Sequence, residues 1–147
     1  MIGILEQIDV LSHFANHTYV VDSKIKKAKN LEDLKDSSKD LINIISSLHA
    51  KGVKVNHISN LIGQLNTKVY QKLYELILPK ELRNNACFIV MGSEGRNEQI
   101  IKTDQDNALV IKDGINIKLY LPYMDEITKH LIDFGYPICE GNIMVSN

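Results

Sequence analysis

The sequence predicts an α/β protein of the α+β type, in which a helical hairpin packs on a small mixed sheet. Apolar residues recur at the spacing of a helix face throughout residues 36–84. After Asn85 this periodicity gives way to a continuous apolar run at 86–91 and to a second short run at 107–111, in which Asn107 precedes four apolar residues. Such runs are typical of strands that are buried on both faces. We therefore expect an all-helical N-terminal part followed by a C-terminal part that contains both strands and helices.

Composition excludes several classes of protein. The chain has 147 residues, is 44% hydrophobic and 24% charged, and carries a net charge of −1. Its length fits one domain, or one domain with an appendage. The charge balance gives no reason to expect a nucleic-acid partner. No apolar run reaches the roughly 18 residues of a membrane span, so no membrane association is expected.

Cysteine usage and the amino terminus indicate a reducing compartment. Only Cys87 and Cys139 are present, each inside an apolar stretch, and we expect both to be buried free thiols. The first residues lack the basic segment and small-residue cleavage site of a signal peptide. A cytoplasmic protein is therefore expected.

The front half divides into a connector and the hairpin. A weak helix is predicted over residues 3–17, and 18–36 is predicted to be a connector because a lysine cluster is followed by acidic residues. Ser37 or Ser38 is expected to cap the next helix, which ends at Gly52. Asn56 is expected to cap a longer helix that Pro79 stops. The apolar stripe of this third helix comprises Ile58, Leu61, Ile62, Leu65, Val69, Leu73, Leu76 and Ile77.

The back half is predicted to hold two clear strands and two weaker ones. A turn at 92–96 and a short helix from Ser93 to about Gln99 separate the two clear strands. A third strand is expected over 115–121 and a last one within 136–144. Between them, Pro122 opens a helix that Gly135 closes.

Two carboxylates at the start of the second strand carry the first functional signal. Asp104 and Asp106 are two residues apart, and the period of a strand places both on one face. Adjacent carboxylates repel each other, and a divalent cation relieves that repulsion. Oxygen ligands favour Mg²⁺ or Mn²⁺, and such ions carry substrate phosphates. An Asp-x-Asp pair alone is more often an ordinary solvated surface feature.

The loop after the first strand adds a second signal. Gly92 and Ser93 lie between a strand and a helix, where a glycine lets the backbone approach a phosphate and a serine supplies a donor. Arg96 is expected either to bind a phosphate or to form a surface pair with Glu94 or Glu98. Glu98 is expected either to hold a water on a metal or to support Arg96, and Lys102 to contact a phosphate.

These residues form a recognisable pattern. Gly92-Ser93-x-x-Arg96-x-Glu98 followed by Asp104-x-Asp106 resembles the signature of the nucleotidyltransferase superfamily, whose palm-like fold is similar to that of DNA polymerase beta. The wider strings at 91–99 and 102–108 resemble the nucleotidyltransferases attached to CBS and cyclic-nucleotide-binding domains in bacterial signalling proteins. These are related to the adenylyltransferase of glutamine synthetase and the uridylyltransferase of PII protein. The resemblance covers residues 36–147.

The resemblance implies roles for individual residues. Asp104 and Asp106 would be catalytic and would bind Mg²⁺ or Mn²⁺, while Gly92 and Ser93 would hold the triphosphate of ATP or UTP. Members of the superfamily have a third carboxylate on a later strand. Glu140 is the nearest candidate for it here. The alternatives are Asp113, Asp125 and Asp133.

The resemblance also implies a domain organisation and a function. Residues 1–35 would be the tail of a CBS domain plus a linker, 36–84 the hairpin, and 85–147 a nucleotidyltransferase core that relatives continue with further helices. The function would be metal-dependent transfer of NMP from an NTP to a hydroxyl, on a protein acceptor, within a signal-transduction protein. The alternative is a non-catalytic nucleotide-binding module that regulates attached CBS or other domains. The helical pair would also suit a homodimer.

Overall fold

A computed structural model of the chain describes residues 18–146, and the helix predicted over 3–17 lies outside them. The described part is helix-rich and contains a two-stranded sheet, so the α+β class is confirmed. Residues 18–27 form helix α1. The later helices are α2 (Leu31–Ala50), α3 (Val55–Ile77), α4 (Lys80–Arg83), α5 (Gly92–Gly95) and α6 (Leu121–Asp133), with a 3-10 turn η1 at Ile117–Leu119. The strands are β1 (Ala86–Val90) and β2 (Asn107–Ile111).

The segment predicted to be a connector contains a helix and the start of a second one. In α1, Val21 and Ile25 are buried against the rest of the core. Helix α2 begins at Leu31, because the side chain of Asn30 accepts a hydrogen bond from the backbone N–H of Asp33 at 2.8 Å. The expected cap at Ser37 or Ser38 is therefore wrong, and both serines are buried inside α2.

The turn of the hairpin and the apolar stripe of its second helix follow the prediction, although the predicted helix starts do not. At the end of α2, Gly52 has a φ of +75°, and its N–H bonds to the carbonyl of His49, while Val53 N–H bonds to the carbonyl of Leu48. This pair of bonds is a Schellman motif, which glycine favours because it requires positive φ. Helix α3 begins at Val55 with Lys54, not Asn56, in the cap position. Its predicted stripe faces the core through Ile58, Ile62, Leu65, Val69, Leu73 and Ile77.

The sheet is smaller than predicted and is antiparallel, not mixed. β1 pairs with β2 in the register Ala86 to Ile111 and Val90 to Asn107. The third predicted strand, 115–121, is wrong: it contains η1 and the start of α6. The last predicted strand, within 136–144, is irregular. It nevertheless lies along the start of β2, since Gln105 N–H donates to the carbonyl of Pro137 at 3.2 Å and Asn107 N–H to that of Ile143 at 3.0 Å.

Only one face of the sheet packs on the core. Phe88 and Leu109 face the helices, whereas Val110 on the other face is 55% exposed. The expectation of a strand buried on both faces is therefore wrong. The expectation that Cys87 is buried is wrong for the same reason, because its side chain lies on the exposed face. Cys139 is buried as expected, and both thiols are free.

Helix α6 packs against α3 and completes the core. Leu131 is fully buried, and Tyr120, at the start of α6, donates from its hydroxyl to the carbonyl of Leu82 at 3.1 Å. Gly135, with a φ of +90°, ends the helix as predicted. Across the surface, Lys35 of α2 pairs with Asp133 at 2.8 Å. Among residues 18–146, no helix is both long and apolar enough to cross a membrane.

Candidate active site

The sheet brings the Gly-Ser loop and the carboxylate pair to one edge. Because β1 and β2 are antiparallel, the end of the first strand lies beside the start of the second. Met91 N–H extends the ladder by donating to the carbonyl of Asp106 at 2.8 Å. The chain then turns into the single helical turn of α5, which begins at Gly92.

Two glycines allow this tight turn. Gly92 has a φ of +58°, and a Cβ added there would overlap the Oδ2 atom of Asp106. A Cβ added at Gly95 would lie 2.8 Å from the carbonyl oxygen of Val90. The backbone of the loop therefore lies directly against the Asp106 carboxylate, a contact that a larger residue at position 92 would prevent.

The two predicted carboxylates lie together, with a cysteine as the third member of the cluster. Ligand atoms of Asp104, Asp106 and Cys139 all lie within 4.8 Å of one another. Asp104 is exposed, Asp106 is half-buried, and Gln105 between them points into the interior, as the alternation of an extended chain requires. The thiol of Cys139 lies 3.0 Å from Oδ1 of Asp106.

The donor set of this cluster suits a hard divalent cation. Two carboxylates offer four oxygen atoms, one residue is open to solvent, and Mg²⁺ or Mn²⁺ takes such oxygens together with water and substrate phosphates. Asp104 and Asp106 are the residues that would hold the ion. The sulfur of Cys139 is a softer donor that these ions do not favour.

Beneath the loop, Glu94 anchors α5 to the helical core. Its side chain is buried, and Oε2 accepts a hydrogen bond from Nδ2 of Asn66 on α3 at 3.3 Å. The amide of Gln99, turned so that its nitrogen faces Glu94, donates to the same oxygen. Burial raises the pKa of the Glu94 carboxyl to about 7, and the bond from Asn66 offsets only part of this shift.

A tyrosine pair extends this buried network toward the segment that follows α6. The hydroxyl of Tyr136 donates to Oδ1 of Asn66 at 2.9 Å, and its ring contacts that of Tyr70 with centroids 5.4 Å apart. Burial raises the pKa of both phenols. Asn66 thus joins the loop, the long helix and the carboxyl-terminal segment through one side chain.

A comparison with known protein families assigns the chain to one of them. The model of the family described as putative nucleotidyltransferase DUF294 matches residues 39–147, which is well over half of the chain. The chain belongs to the DUF294 family. No curated protein and no solved structure matched the chain. The matched residues include α2 from residue 39 onward, α3, the loop, the carboxylate pair and Cys139.

In this DUF294 domain the predicted Arg96 and Glu98 pair with each other. Nε of Arg96 lies 2.9 Å from Oε2 of Glu98, and both side chains are largely exposed. Of the two alternatives given for each residue, the structure displays the surface pair. An exposed ion pair is weak and exchanges readily for another partner, so Arg96 can still turn toward an anionic ligand.

Lys102, which is expected to contact a phosphate, instead forms hydrogen bonds within the protein. Its ammonium donates to the hydroxyl of Ser38 at 2.7 Å, to the carbonyl of Phe134 at 2.5 Å and to the carbonyl of Ser38 at 3.5 Å. An ammonium has three N–H donors, and all three are occupied. It also lies 4.9 Å from the centre of the Tyr136 ring, and burial lowers its pKa to about 8. In this structure Lys102 joins α2 to the end of α6 and does not contact the loop as a phosphate ligand would.

The structure does not bring a third carboxylate into the cluster among residues 18–146. Glu140 is exposed in the turn that follows Cys139, and the cluster includes its neighbour instead. Asp133 pairs with Lys35, and Asp113 lies in the exposed turn after β2. Asp125 lies on α6, also outside the cluster.

Sequence reasoning missed two residues that shape the site. Cys139 was noted only as a thiol, and Glu94 only as a partner for Arg96. The one sequence signal for Cys139 is that it lies within residues 36–147, which the family resemblance covers. No local signal identifies Glu94 as buried, because its partner Asn66 lies 28 residues earlier in the chain.

Proposed function

We propose that this chain is a metal-dependent nucleotidyltransferase domain that transfers NMP from an NTP to a hydroxyl group. One observation carries the proposal: the carboxylate of Asp106 lies against the backbone of Gly92 and within 4.8 Å of Asp104. A loop suited to phosphates and a carboxylate pair suited to divalent ions thus share one edge of the sheet. A triphosphate–metal complex needs both elements side by side.

Separate groups of residues would bind the phosphates and the metal ions. The backbone N–H groups of the first turn of α5 and the hydroxyl of Ser93 would orient the β- and γ-phosphates. Asp104 and Asp106 would hold the divalent ions, which when bound neutralise charge on the α-phosphate. The acceptor hydroxyl would lose its proton to water, and its oxygen would form a bond to the α-phosphorus while the bond from that phosphorus to pyrophosphate breaks. Arg96, exposed beside the loop, is placed to meet the phosphates.

The finer assignments rest on the family resemblance. It favours ATP or UTP as the nucleotide, Mg²⁺ or Mn²⁺ as the ion, and a protein hydroxyl as the acceptor. It also favours a cytoplasmic signalling protein in which CBS or other regulatory domains accompany this one, with a homodimer formed through the helical pair. Nucleic acid is not the expected acceptor, since the net charge of the chain is −1.

A non-catalytic nucleotide-binding module is the second candidate function. Among the described residues the third member of the cluster is a thiol and not a carboxylate, so the usual group for activating the attacking hydroxyl is missing from it. Binding without transfer would make the domain a sensor. The hydrogen bond between Glu94 and Asn66 would then transmit nucleotide occupancy from the loop to α3.

Isotope position distinguishes the two candidates. The chain is incubated with Mg²⁺ and ATP or UTP labelled at either the α- or the γ-phosphate, with bulk cellular protein as acceptor. Nucleotidyl transfer predicts that only the α-label enters protein and that Asp106→Asn abolishes it. Asp113→Asn, in an exposed turn outside the cluster, is the matched control and should retain transfer. Nucleotide binding without transfer of either label would favour the sensor.

A further inference from the structure

The buried thiol beside the carboxylate pair lacks a role in the proposed reaction. Cys139 is 4% exposed, yet its sulfur lies within hydrogen-bond distance of Asp106, 33 residues earlier in the chain. Its backbone is fixed by neighbours: Pro137 accepts from Gln105 N–H, and the carbonyl of Cys139 accepts from Asn142 N–H at 3.0 Å. The thiol is therefore held at the carboxylate by ordered backbone on both sides.

Asp106 is restrained from two directions as a result. Its Oδ2 lies against Gly92, where no side chain intervenes, and its Oδ1 faces the Cys139 sulfur at 3.0 Å. Its own backbone carbonyl accepts from Met91 N–H. By contrast Asp104 is exposed. Of the two carboxylates, Asp106 is the one whose orientation is set by the protein before any ligand arrives.

We infer that Cys139 is a positioning residue, whose S–H donates a hydrogen bond to Oδ1 of Asp106 and so fixes that carboxylate for a divalent cation. The inference rests on the proposed function. Partners that orient a metal ligand in this way commonly contribute a factor of about 10 to metal affinity. Without the thiol, the Asp106 carboxylate can rotate, and part of the binding free energy is spent on ordering it.

Direct coordination by sulfur is the competing arrangement, and the chemistry of the ions favours the hydrogen bond. The separation of 3.0 Å between the Cys139 sulfur and Oδ1 of Asp106 fits an S–H donor and its acceptor. Hard ions such as Mg²⁺ and Mn²⁺ also prefer oxygen to sulfur.

Mn²⁺ binding to the full chain without nucleotide, followed by electron paramagnetic resonance, tests the inference. Cys139→Ala should weaken Mn²⁺ binding about tenfold. Cys139→Ser keeps a donor and should stay within about threefold of the wild-type chain. Cys87→Ala, which removes the exposed thiol, is the matched control and should not change binding. Equal Mn²⁺ affinity of the Ala variant and the wild-type chain would overturn the inference.

A spectroscopic measurement covers the case in which Cys139→Ala does not fold. The wild-type chain loaded with Co²⁺ should show no thiolate-to-cobalt charge-transfer band. A band that disappears in Cys139→Ser would overturn the hydrogen-bond role in favour of coordination. Asp106→Asn separates this inference from the proposed function, because undiminished Mn²⁺ binding in that variant would refute the metal site itself. Loss in Asp106→Asn without loss in Cys139→Ala would refute only the role of the thiol.

Discussion

Replacing Glu94 with Gln should make the protein more stable at alkaline pH. The Glu94 carboxyl is 7% exposed and meets amides of Asn66 and Gln99. Burial raises its pKa from the ordinary 4.5 to about 7. Glutamine keeps the shape and one acceptor, and it removes the charge that must be buried when the carboxyl ionises. The amide of Gln99 can turn to accept from the new NH₂ group.

The magnitude follows from the difference in proton affinity between the folded and unfolded chains. Below pH 4.5 both forms are protonated, and Glu94 contributes no pH dependence. Between 4.5 and 7 the unfolded chain loses the proton while the folded chain keeps it, so stability falls as pH rises. At 1.36 kcal/mol per pKa unit, the accumulated cost above pH 7 is about 3 kcal/mol. Glu94→Gln should recover most of it.

Urea unfolding followed by circular dichroism, at intervals from about pH 5 to pH 8, measures this cost. The free energy of unfolding of Glu94→Gln should exceed that of the wild-type chain by less than about 1 kcal/mol at pH 5 and by about 3 kcal/mol at pH 8. Glu98→Gln removes an exposed carboxylate from the same loop and should stay within about 0.5 kcal/mol of wild type. A difference between Glu94→Gln and wild type that does not change with pH would refute the reasoning.

Three further substitutions test other parts of the structure. Gly92→Ala should weaken Mg²⁺-dependent NTP binding by about tenfold or more in calorimetry, because its Cβ overlaps Asp106 and its φ is positive. Lys102→Met should lower the free energy of unfolding by about 2 kcal/mol in urea, because it leaves the carbonyl of Phe134 without its donor. Leu65→Ala, in the fully buried stripe of α3, should lower the free energy of unfolding by about 3 kcal/mol.

Each of these has an outcome that contradicts it. Undiminished NTP binding by Gly92→Ala would mean that the loop does not approach the ligand. A large loss of NTP affinity in folded Lys102→Met would restore Lys102 as a phosphate ligand. Unchanged stability in Leu65→Ala would mean that α3 does not form the centre of the core.

Local patterns were enough to predict the hairpin and the positions of both strands. The stripe of α3 and the glycine after α2 are signals contained within a few turns of helix, so the sequence alone identifies them. The start of α2 was misplaced because Ser37 and Ser38 look like caps but are buried inside the helix. Ser38 binds Lys102, a partner 64 residues away that no local pattern reveals.

The sequence predicts only the part of the site that depends on local signals. The short loop and the Asp-x-Asp spacing are local, and antiparallel pairing brings them together. The contacts of Cys139 with Asp106 and of Glu94 with Asn66 join distant segments. The predictions of a third and a fourth strand are wrong, because alternation of apolar and polar residues over a short segment is not specific to strands. The third segment contains the 3-10 turn η1, and the fourth is an irregular segment that accepts hydrogen bonds from Gln105 and Asn107.

Calorimetric titration of the chain with each NTP, with and without Mg²⁺, tests the central claim most directly. The account predicts that one nucleotide binds only with the ion present, and that Asp106→Asn abolishes this binding while Asp113→Asn preserves it. Circular dichroism should show that both variants are folded. Metal-dependent NTP binding that is unaffected by Asp106→Asn would contradict the assignment of the site.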